Sequence, residues 1–221
     1  MTSISTSIQR LLGRKPSSQL IIDYLDELSS AEKPSALTPE IKSYSDVVYY
    51  NFHALGLSLL FKPTDGYKPR TGLVRSELIE DKLFLDSLDI YNIPASTSDS
   101  KGFKKKREET AFATYPMSPV ILNLTHPEEE EGKNLPHPLQ ISKESTGKDF
   151  VQGLGEPDRK GGGSGPSSGS IGIWCEWTKH GILVEFGGVE AIGPQAWERG
   201  KDAVWKVVTV FLPNIKNSSP T

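Results

Sequence analysis

The chain has 221 residues, room for one large domain or two small ones, with 36% hydrophobic residues, 20 glycines and 16 prolines. Its 25 basic and 28 acidic side chains leave a net charge of −3, and a pI near 5.9 excludes the basic footprint of a general nucleic-acid binder. A single cysteine, Cys175, excludes an internal disulfide and a cysteine-based zinc cluster, and no apolar run reaches the ~20 residues of a membrane helix.

Residues 1–22 carry Arg10, Arg14 and Lys15 and no acid, with Ile4, Ile8, Leu11 and Leu12 at helical spacing. An acid-free, Ser-rich amphipathic start has the pattern of a mitochondrial presequence. The same residues suit a short helix packed on the core and stopped by Gly13 and Pro16, which is the preferred reading. With no secretory apolar region, the expected compartment is the cytoplasm, and the mitochondrion is the alternative.

The most informative feature is an internal likeness. Asp23-Tyr24-Leu25-Asp26-Glu27-Leu28 lines up with Asp149-Phe150-Val151-Gln152-Gly153-Leu154 at an offset of 126. Residues 47–61 line up with 172–186 at an offset of 125, pairing Tyr49 with Trp174, Phe52 with Trp177 and Gly56 with Gly181. The first block predicts helices: Leu20, Tyr24 and Leu28 share one face after Ser17 or Ser18 as N-cap. In the second copy Thr146 caps Phe150 and Leu154, and Gly155 ends the helix.

The second block predicts hairpins. Val48, Tyr50 and Phe52 alternate toward one face, as do Leu57, Leu59 and Phe61, across a turn closing on Gly56. The other copy repeats this with Ile173, Cys175 and Trp177, then Ile182, Val184 and Phe186, across Gly181. A third strand follows in each, over 83–93 and 204–212, where Leu88, Ile90 and Tyr91 match Val208, Val210 and Phe211 at an offset of 120. The predicted fold is α+β: two related helix–β-hairpin–strand units, packed together or sharing one antiparallel sheet, with long Gly/Pro/Ser-rich loops. Residues 1–94 form the first unit, 95–145 a charged, Pro-rich, partly disordered connection, and 146–216 the second unit.

Leu154-Gly155-Glu156-Pro157 ends a helix ahead of a hairpin whose first strand is aromatic. In this it resembles the repeat of the β-lactamase-inhibitor-protein fold and of the outer-membrane assembly lipoprotein BamE. The run Tyr49-Tyr50-Asn51-Phe52 through Leu55-Gly56-Leu57 to Phe61 is similar to the modules of the phagophore-assembly-factor family. The resemblance implies antiparallel, non-catalytic units that present a sheet or loop surface to another protein.

Both units place a long connection between helix and hairpin, over 29–46 and 155–171. In 155–170, twelve of sixteen residues are Gly, Ser or Pro. Gly161-Gly162-Gly163-Ser164-Gly165 lacks the G-x-x-x-x-G-K-[ST] pattern, so a flexible linker is preferred over a phosphate loop. Beside it, Arg159 and Lys160 are candidates for anchoring an acidic partner. The connection carries Lys104-Lys105-Lys106-Arg107 and Glu128-Glu129-Glu130-Glu131 among Pro116, Pro119, Pro127, Pro136 and Pro138, which read as solvated charge runs rather than a nuclear address. Val120-Ile121-Leu122-Asn123-Leu124 is the apolar exception, an added strand or a docking segment.

Catalytic chemistry has little support. His53 and His180 fall in equivalent hairpin turns and are expected at the surface, while His126 and His137 match no metal-ligand spacing. Cys175 lies on the inferred core face and reads as a buried thiol. Glu176 and Glu185 are expected as exposed acids on the face opposite the core, and no metal or cofactor is expected. Tyr49 and Trp174 alternate onto that opposite face, where aromatics serve as interface anchors. The expected function is a non-enzymatic adaptor, inhibitor or assembly factor binding a protein partner through Tyr49, Trp174, Arg159, Lys160 and Glu176. A small-molecule site in a groove between the units is the alternative.

Overall fold

The structure, a computed structural model, describes residues 7–29, 37–93, 111–124, 138–163 and 172–213. It is mixed α+β and dominated by antiparallel sheet with few helices. The chain forms two units, one on Arg10–Met117 and the other on Ser118–Thr221 with Ser7–Gln9. The charge runs at 104–107 and 128–131, with His126 and His137, lie outside the described residues.

Ile8–Leu11 makes one 3₁₀ turn, with Ile8 and Leu11 buried, and Gly13, in the first unit, then turns at positive φ. Helix α1 (Gln19–Ser29) buries Ile21, Tyr24 and Leu28, the i, i+3, i+7 stripe of an amphipathic helix, whereas Leu20 is half-buried. Ser18 holds the capping position through its carbonyl, which accepts from Ile21 and Ile22. Its hydroxyl is buried without a hydrogen-bond partner among the described residues.

Strands β1 (Glu40–Ser43), β2 (Val48–Phe52), β3 (Leu57–Pro63) and β4 (Leu83–Tyr91) then pair in chain order, each antiparallel to the last. Val48 pairs with Phe61, Tyr50 with Leu59 and Phe52 with Leu57, while Leu59 and Leu57 pair onward with Leu88 and Ile90. These eight side chains are at most 3% exposed. Each such burial contributes about 1.5–3 kcal/mol, which makes this face the main source of the unit's stability. Gly56 closes the turn at φ +56°, and its carbonyl accepts from Tyr91 at 2.9 Å. Residues 111–117 pack on the same end: Ala113 N donates to His53 O, Tyr115 N donates to Tyr91 O, and Phe112 stacks on Tyr91 at 3.9 Å. The Tyr115 and Tyr24 hydroxyls hydrogen-bond in the core, and burial pushes both phenols up.

In the second unit β5 (Val120–Leu122) and β6 (Leu139–Ile141) form a two-stranded ribbon, so the apolar run at 120–124 supplies an added strand. Helix α2 (Gly147–Leu154) starts at Thr146, whose amide donates to Asp149 Oδ2, and ends at Gly155 with φ +77°. Strands β7 (Arg159–Gly161), β8 (Trp174–Trp177), β9 (Ile182–Phe186) and β10 (Trp205–Phe211) again pair antiparallel in chain order, with the short helix α3 (Ala196–Arg199) before the last. Trp177 pairs with Ile182, and Ile182 and Val184 pair with Val210 and Val208. Gly181, at φ +64°, closes the turn, and its carbonyl accepts from Phe211 at 2.8 Å. Phe150 packs on Trp177 and Phe186 to fill the space under α2.

Three strands were expected in each unit, and each unit has a run of four, β1–β4 in the first and β7–β10 in the second. The connections predicted as loops over 29–46 and 155–171 each hold a short edge strand, β1 and β7. Glu-Ile-Lys-Ser and Arg-Lys-Gly lack the apolar alternation that marks a strand, because an edge needs little burial and is protected by charge.

Candidate functional site

Alternation in β8 sends Cys175 and Trp177 to the core and Trp174 and Glu176 to the other face. The pairing register builds that second face as two rows. Gly161, Trp174, Glu185 and Val207 lie across the strands in one, and Arg159, Glu176, Leu183 and Thr209 in the next. Trp174 is half-buried because its indole lies on Gly161: a Cβ there would stand 2.6–2.9 Å from three ring atoms.

Glu176 is not the exposed acid expected from its polarity. Only 9% of it is accessible, and Oε2 accepts from Arg159 Nη1 at 3.1 Å, the arginine side chain being 66% exposed. A carboxylate flanked by strands on both sides loses water, and the cross-strand guanidinium replaces it. Glu185 is exposed and sits diagonally from Glu176, facing Trp174. Lys160 parts from Arg159: it occupies the opposite face, opposite Cys175 in register, with Nζ 5.6 Å from the Trp197 ring. One residue of offset in a strand reverses the face, so the adjacent basic pair cannot act as one anchor.

The first unit has the corresponding rows Lys42, Tyr49, Leu60, Ser87 and Glu40, Asn51, Ser58, Asp89. Tyr49 is half-buried and meets the exposed Tyr44 edge-on at 6.3 Å, and burial raises its phenol. His53 is not a free surface ring either: its Nε2 is 2.8 Å from Glu40 Oε2 and its imidazole packs on Phe112 at 4.4 Å. Cys175 is buried as expected, and desolvation pushes its thiol up to about 11, away from the reactive thiolate.

The sequence carries two kinds of serine spacing with catalytic precedent: G-x-S-x-G once, and S-x-x-K at Ser30–Lys33, Ser98–Lys101 and Ser145–Lys148, of which only the last lies within the described residues. Gly165-Pro166-Ser167-Ser168-Gly169 lies outside the described residues. In Ser145-Thr146-Gly147-Lys148 the Ser145 hydroxyl accepts from Ser142 N at 3.0 Å, a turn contact ahead of α2. Among the described residues no three His, Cys, Asp or Glu side chains gather as a metal-binding group, and no helix is long and apolar enough to cross a membrane.

Two features escaped sequence reasoning. One is the long β3–β4 connection, whose Arg75 reaches back over the Tyr50 ring at 5.5 Å while its Nε donates to Glu80 at 2.7 Å. The other is a cavity beside Tyr50, between α1 and β2–β3. Periodicity marks which residues face the core and carries no information on whether they fill it. No family model matches the chain, and neither a curated protein nor a solved structure matches it.

Proposed function

We propose that this chain is a non-catalytic interaction module made of two related α+β units, and that it captures a protein partner on the second face of its sheets. Trp174 carries the reading. The buried large apolar groups fill cores, whereas this indole is seated on glycine outside the core, beside the Arg159–Glu176 pair and half-buried Leu183. Tyr49, with Tyr44, holds the same place in the first unit. Arg159 and Glu176 act within this face, and Lys160 acts from the other.

Relatedness of the units is supported by register as well as sequence. The pairs Phe52–Leu57 and Trp177–Ile182 begin hairpins offset by 125 residues. Each last strand is interrupted once, at Asp86 between Leu85 and Ser87 and at Lys206 between Trp205 and Val207, opposite equivalent residues. An internal duplication accounts for a bulge repeated in place. The resemblance to the β-lactamase-inhibitor-protein repeat, whose units present a sheet or loop surface, points the same way.

The test is affinity capture with the full chain, Trp174→Ala and Tyr49→Ala, with Trp197→Ala as an exposed-aromatic control. Loss of a specific protein with Trp174→Ala but not Trp197→Ala, with unchanged circular dichroism, is expected. The same proteins on every variant would refute the assignment.

A further inference from the structure

The first unit contains a cavity of about 160 Å³ between α1 and the core face of β2 and β3. Its apolar wall is Ile21, Ile22 and Leu25 from the helix and Phe52, Leu59 and Phe61 from the sheet, with Asp26, Tyr50 and Arg75 supplying the polar edge. An apolar cavity of about 150 Å³ is large enough to take a benzene ring. The second unit differs at the equivalent place. Where the first has Phe52 it has the larger Trp177, and Phe150 packs on both Trp177 and Phe186. In the first unit the helix aromatic, Tyr24, bonds to Tyr115 instead, and the space stays open.

Charge at the edge selects among ring-sized ligands. Arg75 is held by Glu80, whose Oε1 also accepts from the Tyr50 hydroxyl at 2.8 Å. Arg75 and Glu80 offset each other, and Asp26 leaves the edge negative, which disfavours an anion. A cation would shed its water against a wall that is mostly hydrocarbon, which is costly. Tyr50 and Arg75 still offer hydrogen bonding to one oxygen. We infer that the first unit binds a neutral, six-membered-ring-sized apolar compound bearing a single hydroxyl or carbonyl oxygen, the phenol class. This inference stands apart from the interaction reading, since it concerns the opposite face of the sheet.

The probes are 4-fluorophenol, fluorobenzene, 4-fluorobenzoate and 4-fluorobenzylammonium, titrated into the full chain and followed by fluorine magnetic resonance. Two variants fill the space: Leu25→Phe from the helix and Phe52→Trp, which copies the second unit. Saturable 4-fluorophenol binding is expected, weakened at least tenfold in each variant, with the two ions at least tenfold weaker than the phenol. Absent saturation, binding retained in a folded variant, or an ion binding as well as the phenol overturns the inference. If circular dichroism shows one variant unfolded, the other decides. If both unfold, magnetization transfer from phenol to the methyls of Ile21, Leu25 and Leu59 in the unmodified chain decides, and transfer confined to other methyls overturns it.

Discussion

The Glu40 carboxylate accepts a 2.8 Å hydrogen bond from His53 Nε2, tying edge strand β1 to the first residue of the hairpin turn. The second unit fastens β7 by the same logic with different chemistry. Asp158, just ahead of β7, accepts from the amide of Thr178 at 2.8 Å and from its hydroxyl at 2.7 Å, and Thr178 is the turn residue 125 positions after His53. Edge strands of four and three residues have few ladder bonds, so a side-chain pin at the free end counts.

Both pins are acid-sensitive. The His53 hydrogen bond, foremost, holds Glu40 below its ordinary carboxylate value, and the Thr178 hydroxyl does the same for Asp158. A depressed acid stabilises the fold in full above its unfolded pKa, and that contribution is lost as pH falls through the folded value. Glu40→Gln and Asp158→Asn should therefore lower the urea midpoint at pH 7. The gap from the unmodified chain should narrow below about pH 4 as the native carboxylates protonate. A gap that is constant or widens toward pH 3 would show that these acids do not act through their charge.

Gly56 and Gly181 should be the least replaceable glycines of the hairpins. Each combines a positive φ with backbone at close quarters: an added Cβ would overlap Ala113 O at the first and Phe211 O at the second. Gly13 has φ +75° with open space around it. Alanine at Gly13 should cost about 1 kcal/mol of backbone strain. At Gly56 or Gly181 the strand or segment must also move, and the loss should exceed about 2 kcal/mol. Urea melts of the three variants check the order, and equal losses would mean that strain alone decides.

The hairpins were legible because both their strands alternate toward the core: Val48, Tyr50 and Phe52 against Leu57, Leu59 and Phe61, and their counterparts. The edge strands were not, since Arg159 and Lys160 fall in a connection read as a loop and only pairing to β8 gives them opposite faces. Trp174 was placed on the second face by counting, but its seat on Gly161 needed the register. Glu176 shows the limit from the other side. Its polarity predicts exposure, and its burial follows from neighbours on the strands at either side, one of them the unpredicted edge strand β7.

The Arg159–Glu176 pair should behave as a unit. Removing the guanidinium with Arg159→Ala leaves a carboxylate that is 9% exposed without its partner, at a cost of about 1–2 kcal/mol after allowance for the arginine's exposure to solvent. Glu176→Leu on that background removes the stranded charge and should recover most of the loss. A double variant no more stable than Arg159→Ala would mean that the pair contributes little and Glu176 finds other solvation.

Gly161→Ala separates the two roles open to Trp174. Gly161 does not have a positive φ, so its backbone accepts alanine, and the obstacle is the indole at 2.6–2.9 Å. The ring is the far end of a flexible side chain, so it should swing off the sheet at about 0.5–1.5 kcal/mol. Trp174→Ala removes the ring altogether, and being only half-buried it should cost less than the about 3–5 kcal/mol of a core tryptophan. If the ring is a partner's anchor, its position matters, and Gly161→Ala should weaken capture nearly as much as Trp174→Ala while leaving circular dichroism unchanged. If the ring only covers glycine, Gly161→Ala supplies its own methyl as cover. Capture would then be unaffected, and the double variant would be as stable as Gly161→Ala alone.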